Sequence, residues 1–298
     1  MKSLRRAVSF IPMIAILLIA TNHAFAGPFD ATTVPGYVPD PANPAVSILN
    51  PELRAWASEV IEFAPAPGVN AANSNTTEAL GPIGSTPDGH TVSLGDLTAS
   101  EISDGLAPGQ ITLRMAAPLR NGAGWDLAVF ENAFPFFPPD DDKVFAELAY
   151  VEVSTDGVTF ARLPAESLTT TLFEPFGPSF AGIDPTDVHN LAGASRSLQG
   201  TPFDFAELSS VAAVLSGAVQ VDNINYVRLI DIPGDGSWLD SQGRGIREAW
   251  PTTDLTFGNG GLDLDAVAGR YAVPEPSALA IITMAGVALI ARRLRKRA

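Results

Sequence analysis

Cysteine is absent from the 298 residues. That excludes disulfides and thiolate metal sites, so an exported form of the chain must be held by its core or by a hard cation. Histidine is almost absent too. Of three, His23 lies in the N-terminal leader, which leaves His90 and His189. Zinc, which favours Cys and His, is not expected. A Ser/His/Asp hydrolase is poorly provided for, and Gly84-Ser85 is not part of a G-x-S-x-G turn. The EF-hand spacing D-x-D-x-D-G and any fixed-period repeat are also missing. Basic residues are scarce where a polyanion would need them. Of 18 Lys and Arg, three fall in the first six residues and five in the last seven, and the body left when Glu275 is counted with the C-terminal segment holds 10 against 32 acids. A body carrying a net charge of about −22 excludes nucleic acid and disfavours anionic lipid surfaces. It suits a soluble exported protein and cation binding.

What is present begins with two address-like termini. Lys2, Arg5 and Arg6 precede an apolar run from Ala7 to Ala20, followed by Ala24-Phe25-Ala26. This is the plan of a secretory signal peptide over residues 1–26, with the mature chain starting at Gly27. At the other end, Ala278 to Ala291 is apolar and Arg292, Arg293, Arg295, Lys296 and Arg297 follow. At ~1.5 Å per residue that run covers about 21 Å, short of the roughly 30 Å hydrocarbon layer. Basic residues stay on the cytoplasmic side, which places the body outside the inner membrane.

Val273-Pro274-Glu275-Pro276-Ser277, the short apolar helix and the Arg-rich end together resemble a PEP-CTERM sorting signal, spanning residues 273–298. The resemblance implies recognition of the Pro274-Glu275-Pro276 motif by an exosortase during export. It further implies a Gram-negative envelope, signal peptidase as the other processing partner, and a setting in which exopolysaccharide is made. Display at the cell surface or release outside it is the expected end point.

Between the signals, residues 27–48 form an extended, Pro-rich lead-in and 49–272 a single domain. Asn50-Pro51-Glu52 has the composition of a helix start, and Leu53, Trp56, Val60 and Ile61 share one face at helical spacing, so a helix is expected there, ending before Pro65. From Thr91 onward short runs bounded by Gly, Pro, Asn or Asp predict strands. They are Ile111 to Met115, Trp125 to Glu131, Leu148 to Ser154, Val158 to Leu163, Asn225 to Ile232 and Leu262 to Gly269. Asp156-Gly157 supplies a hairpin turn between the third and fourth. Ala206 to Leu215, capped by Asp204, predicts a short helix. Many short strands, long loops and few helices predict a mainly β fold, a jelly-roll-like β-sandwich with one or two short helices.

The body is also similar to a group of bacterial exported surface proteins. The stretches that carry this are Ala79-Leu80-Gly81-Pro82, Val92-Ser93-Leu94-Gly95, Gly124 to Asn132, Val151 to Ser154, Gly200 to Asp204 and Gly261 to Val267. The hairpin and the Asn225 strand resemble discoidin-like, galactose-binding-like jelly rolls. Fold likeness does not give function.

Three constellations could carry chemistry. Asp126, Glu131, Asp263 and Asp265 could offer a Ca²⁺ ion its oxygen ligands, with Asp140-Asp141-Asp142 as an alternative. The competing expectation is that Asp263 and Asp265 line a solvated face. Trp238 and Trp250, in a long loop with Arg244 and Arg247, could form a ligand-binding surface for sugar rings, or simply close one end of the sandwich. Paired carboxylates could alternatively serve a secreted glycan-active hydrolase, but the sequence does not choose the pair. The leading expectation is a non-catalytic binding or structural module, calcium-stabilised and exopolysaccharide-associated. A purely structural coat protein is the other competitor.

Overall fold

A computed structural model describes residues 45–83, 91–135, 143–169, 182–249 and 260–273. The protein is mainly β, and its largest element is one antiparallel sheet that curls over its own core. The sheet runs, in order of hydrogen-bonded neighbours, Val46–Ser47, Gln199–Phe203, Leu127–Glu131, Asp263–Gly269, Ala55–Ala64, Gln110–Leu119, Ile224–Asp231, Ala149–Ser154 and Leu191–Ala192. Val92–Ser93 adds to the Asp263–Gly269 strand, and Ala161–Arg162 adds to Ala149–Ser154.

The curl is visible in what packs together. Leu127, Val129 and Phe203 from one half of the sheet share a buried cluster with Val151, Val153 and Leu229 from the other. Burying such side chains gives roughly 1.5–3 kcal/mol each before the cost of ordering them, which is why the two halves close. A second cluster lies under the loops, built by Ala133, Ala146, Leu148, Tyr150, Ile232 and Ile246 among others. A third, around Trp125, Phe130 and Ala266, backs the opposite half, where Trp56 stacks on Phe130 with ring centroids 6.0 Å apart.

Five of the six predicted strands are present with shifted ends, whereas Val158 to Leu163 is a strand only over Ala161–Arg162. The hairpin Glu152↔Arg162 closes around Asp156, whose Oδ1 accepts from the N–H groups of Val158 and Thr159 at 2.8 Å each. The predicted Ala206 to Leu215 helix is two pieces, a 3₁₀ turn Phe205–Ser210 capped by Asp204 and a four-residue helix Ala212–Leu215.

The helix expected after Asn50 is a correction. Asn50 does cap a turn, accepting from the Glu52 N–H at 2.9 Å, but Ala55–Ala64 is a ten-residue strand. Its pairing with Gln110–Leu119 slips twice, between Ala57 and Glu59 and between Val60 and Glu62. Each slip behaves as a bulge that adds one residue, so Ala55, Ala57, Val60 and Phe63 face the core at intervals of two, three and three. That spacing imitates a helix. Pairing on both edges, to Gly269 and Gln110–Leu119, overrides it.

No helix among the described residues is long and apolar enough to cross a membrane. The signal peptide, the sorting signal with Pro274, Glu275 and Pro276, Asp140-Asp141-Asp142, His90 and Trp250 all lie outside the described residues. The last described residues are tied to the sheet: Ala272 bridges Leu119, and the Val273 N–H donates to the Pro118 carbonyl at 2.7 Å.

Candidate functional site

Strand ends from distant parts of the chain meet at one end of the curled sheet, and each brings an acid. Glu131 closes Leu127–Glu131, Asp231 closes Ile224–Asp231, and Asp263 opens Asp263–Gly269. Glu147 immediately precedes Leu148 at the start of Ala149–Ser154, Glu248 follows Gly245–Arg247, and Asp96 sits in the turn before the helix Ala99–Ser103. Apolar residues within two positions of them belong to the two cores: Leu262 and Leu264 to the first, Ala133, Ala146, Leu148, Ile232 and Ile246 to the second. The acids therefore fill the seam between two hydrophobic clusters. Asp231 and Glu248 are fully buried, and Glu131 and Glu147 nearly so.

Burial and mutual repulsion act in the same direction here. Burial pushes the Glu147 carboxyl well above the usual range, and Asp263, Glu131, Asp96 and Asp231 push it further. Glu248 is raised by burial and then by Asp96, Asp231 and Glu147. Asp231 is raised by burial and by Asp96 and Asp263. Glu131 is raised by burial, Asp263 and Asp265, with the Ala133 and Asn132 N–H groups opposing. Burial also raises Asp263, against the Asn132 amide and the Ser93 hydroxyl.

The backbone holds these carboxylates by one oxygen each. Glu131 Oε2 accepts from Ala133 N–H at 2.6 Å, Glu147 Oε1 from Gly261 N–H at 3.1 Å, Asp231 Oδ1 from Leu262 N–H at 2.8 Å, and Glu248 Oε2 from Leu148 N–H at 2.8 Å. The Asn132 amide donates to Asp263 Oδ2 at 2.9 Å. The second oxygens of Asp231 and Glu248, Oδ2 and Oε1, are buried with no hydrogen-bond partner.

Two of the four expected cation ligands, Glu131 and Asp263, stand in this cluster. Asp265 is the extra residue where the pairing of Asp263–Gly269 with Leu127–Glu131 slips, between Leu264 and Ala266. It is buried rather than on a solvated face, and lies close enough to Glu131 to raise it. Asp126 stands apart. Its Oδ1 accepts from Gly122 N–H at 2.8 Å and its Oδ2 from Phe205 N–H at 2.7 Å, so it laces a loop to the start of the 3₁₀ turn. Sequence reasoning missed Asp96, Glu147, Asp231 and Glu248. The signal available was an acid between apolar neighbours, as in Ala146-Glu147-Leu148 and Ile230-Asp231-Ile232.

A second surface involves Trp238. It lies half-buried on the strand Asp235–Leu239 and, with Ile102, Tyr150, Arg162, Ser237 and Leu239, lines a shallow cavity of about 460 Å³. The Tyr150 hydroxyl donates to the Leu239 carbonyl at 2.7 Å, and burial pushes its pKa up to about 12. The Arg162 guanidinium lies 4.1 Å from the Tyr150 ring centre and is held by Glu152 at 2.9 Å. Glu152 also takes Arg228, which stacks over Phe160. Glu152→Gln is expected to lower stability by about 1–2 kcal/mol in urea unfolding, because two guanidinium groups lose their shared charge-assisted acceptor. Arg244 is spent on structure: it bridges Glu166 at 2.8 Å and Asp240 at 2.7 Å, knotting the turn between Asp235–Leu239 and Gly245–Arg247. His189 is likewise structural, 2.7 Å from a Glu207 oxygen that also accepts from the Asn190 amide.

No protein-family model matches the chain, and no curated protein matches it.

Proposed function

We propose that the chain is an exported cell-surface or extracellular-matrix protein on a jelly-roll-like sandwich, acting as a non-catalytic binding or structural module for exopolysaccharide. The observation that carries this is the Trp238 cavity. It combines an aromatic ring half open to solvent, a second ring beneath, and an arginine at its rim. Sugar rings stack their C–H faces on such aromatic surfaces, and the guanidinium offers several donors to hydroxyl or carboxylate oxygens. The acids with raised pKa support the non-catalytic reading. A glycoside hydrolase places its two carboxylates on either side of a bound sugar ring, roughly 5–10 Å apart. Here the acids lie in the seam between two apolar clusters, beneath the sheet. The leader 1–26 and the tail 273–298 would carry the body across the inner membrane, with signal peptidase and exosortase as processing partners.

Affinity electrophoresis of the full chain through gels containing exopolysaccharide tests the reading. Retardation is expected, and Trp238→Ala is expected to weaken it about tenfold, in line with the ~1–3 kcal/mol scale of stacking on an aromatic platform. Retardation unchanged in Trp238→Ala would remove the cavity from the account. Release of reducing sugar would favour the hydrolase instead.

A further inference from the structure

We propose that the acids at the end of the sheet form a buried Ca²⁺ site, bonded directly by Asp231 and Glu248, with backbone carbonyl oxygens and water completing the shell and Asp96, Glu131, Glu147 and Asp263 supplying the surrounding negative field. This inference is independent of what the outer surface binds.

Two wholly buried acids carry an orphaned oxygen. Asp231 and Glu248 are wholly buried, and each has one oxygen fixed by a backbone N–H and the other with no partner. A buried acceptor left unpaired is costly, and a buried carboxylate beside others is costlier still. A cation relieves both at once. Fixing one oxygen of each carboxylate while leaving the other open is how second-shell hydrogen bonds orient metal ligands.

The backbone nearby is shaped for close approach. Gly261, at φ +84°, lies so near Asp231 that a Cβ there would stand 2.7 Å from Oδ1 and 2.9 Å from the Gly95 carbonyl oxygen. Gly234, at φ +64°, would bring a Cβ to 2.0 Å from the Glu248 Cγ. Gly260 would bring one to 3.2 Å from the Asp96 Cβ. Glycines at these places let the chain wrap the carboxylates without side chains between, and the space beside Gly261 is bordered by both Asp231 and the Gly95 carbonyl.

Donor chemistry selects the ion. All candidate donors are oxygens, and neither sulfur nor imidazole is in the cluster, which favours a hard cation. Among the described residues no three His, Asp or Glu side chains converge on one point. That fits a shell of two carboxylates with carbonyls and water. Ca²⁺ accepts six to eight mixed oxygens in irregular geometry, whereas Mg²⁺ demands near-ideal octahedra and keeps its water.

Isothermal titration of the EDTA-treated full chain with CaCl₂ tests this, paired with thermal melts. One Ca²⁺ per chain is expected, with a rise in Tm. Asp231→Asn and Glu248→Gln are each expected to weaken binding at least tenfold. In EDTA the same variants should still melt cooperatively, and it is the Ca²⁺-dependent rise in Tm that they should lose. A merely structural carboxylate would lower the Tm in EDTA and leave the Ca²⁺-dependent rise intact. Glu62→Gln, on the exposed face, should change nothing. Should a variant fail to fold, equilibrium dialysis of the unmodified chain with radioactive Ca²⁺ decides, with one bound ion expected. No bound Ca²⁺ at millimolar concentration overturns the proposal. So does unchanged affinity in both variants, or Mg²⁺ competing on equal terms.

Discussion

Gly193→Ala is expected to cost at least about 4 kcal/mol, most of the margin of a domain at the low end of the ordinary ~5–15 kcal/mol. Two causes add. Gly193 sits at φ +87°, where an L side chain costs roughly 1–2 kcal/mol. A Cβ there would also stand 1.8 Å from the Glu147 carbonyl oxygen and 3.2 Å from a Leu262 methyl. The carbonyl is backbone and cannot swing aside as a side-chain tip would. It belongs to the strand approach that delivers Glu147 into the acidic seam, so the damage reaches both the sheet edge and the site. Gly68 provides the control. It has a similar φ of +94° but open space around its absent Cβ, so Gly68→Ala should cost only the conformational part, about 1 kcal/mol. Urea unfolding of the two variants side by side checks the contrast. Equal costs would show that the close contact with Glu147 is not real.

Asp126→Ala is expected to cost about 3–5 kcal/mol. The side chain is fully buried and accepts from two backbone N–H groups, Gly122 and Phe205, which alanine would leave unpaired at about 1–3 kcal/mol each in addition to the lost packing. The same residue gives a pH signature. Burial pushes its pKa from 3.8 to about 6, with the two N–H groups opposing and Asp204 adding to the rise. A group raised on folding binds its proton more tightly in the folded state. Its contribution to stability is therefore complete below about pH 4 and is lost as pH rises through about 6. Two units correspond to about 3 kcal/mol. The other raised carboxylates slope the same way, so the comparison that isolates Asp126 is the pH 4–7 stability profile of Asp126→Asn against the parent. The variant should be flatter by that amount. Identical slopes would mean that Asp126 stays ionised throughout.

The strands were readable as short runs punctuated by turn residues: Ile224–Asp231 alternates, Leu127–Glu131 and Ala149–Ser154 are buried throughout, and Asp156-Gly157 turns the chain where its chemistry requires. Ala55–Ala64 was not readable. Its two slips replace the period of two with steps of three, and only the partner strand reveals why. The acids of the seam split along the same line. Asp263 and Glu131 stood out because they sit beside other acids in strong strand patterns. Glu147 and Asp231 each occur singly between apolar residues and Glu248 lies between Arg247 and Ala249, 84 and then 17 positions apart along the chain, and only the curl of the sheet gathers them. Asp126 looked like a ligand because it shares a segment with Glu131, but its backbone hydrogen bonds spend both its oxygens.

The C-terminal edge of the fold has a mechanical consequence. Asp263–Gly269 is flanked on both sides by antiparallel partners, and beyond it Ala272 and Val273 are fastened to Leu119 and Pro118. A pull on anything attached past Val273 first meets that fastening. It then acts along the axis of a strand gripped from two sides, so its ladder hydrogen bonds share the load in shear instead of parting one after another. Tension applied at the C-terminal end of the described residues is thereby spread across the sheet.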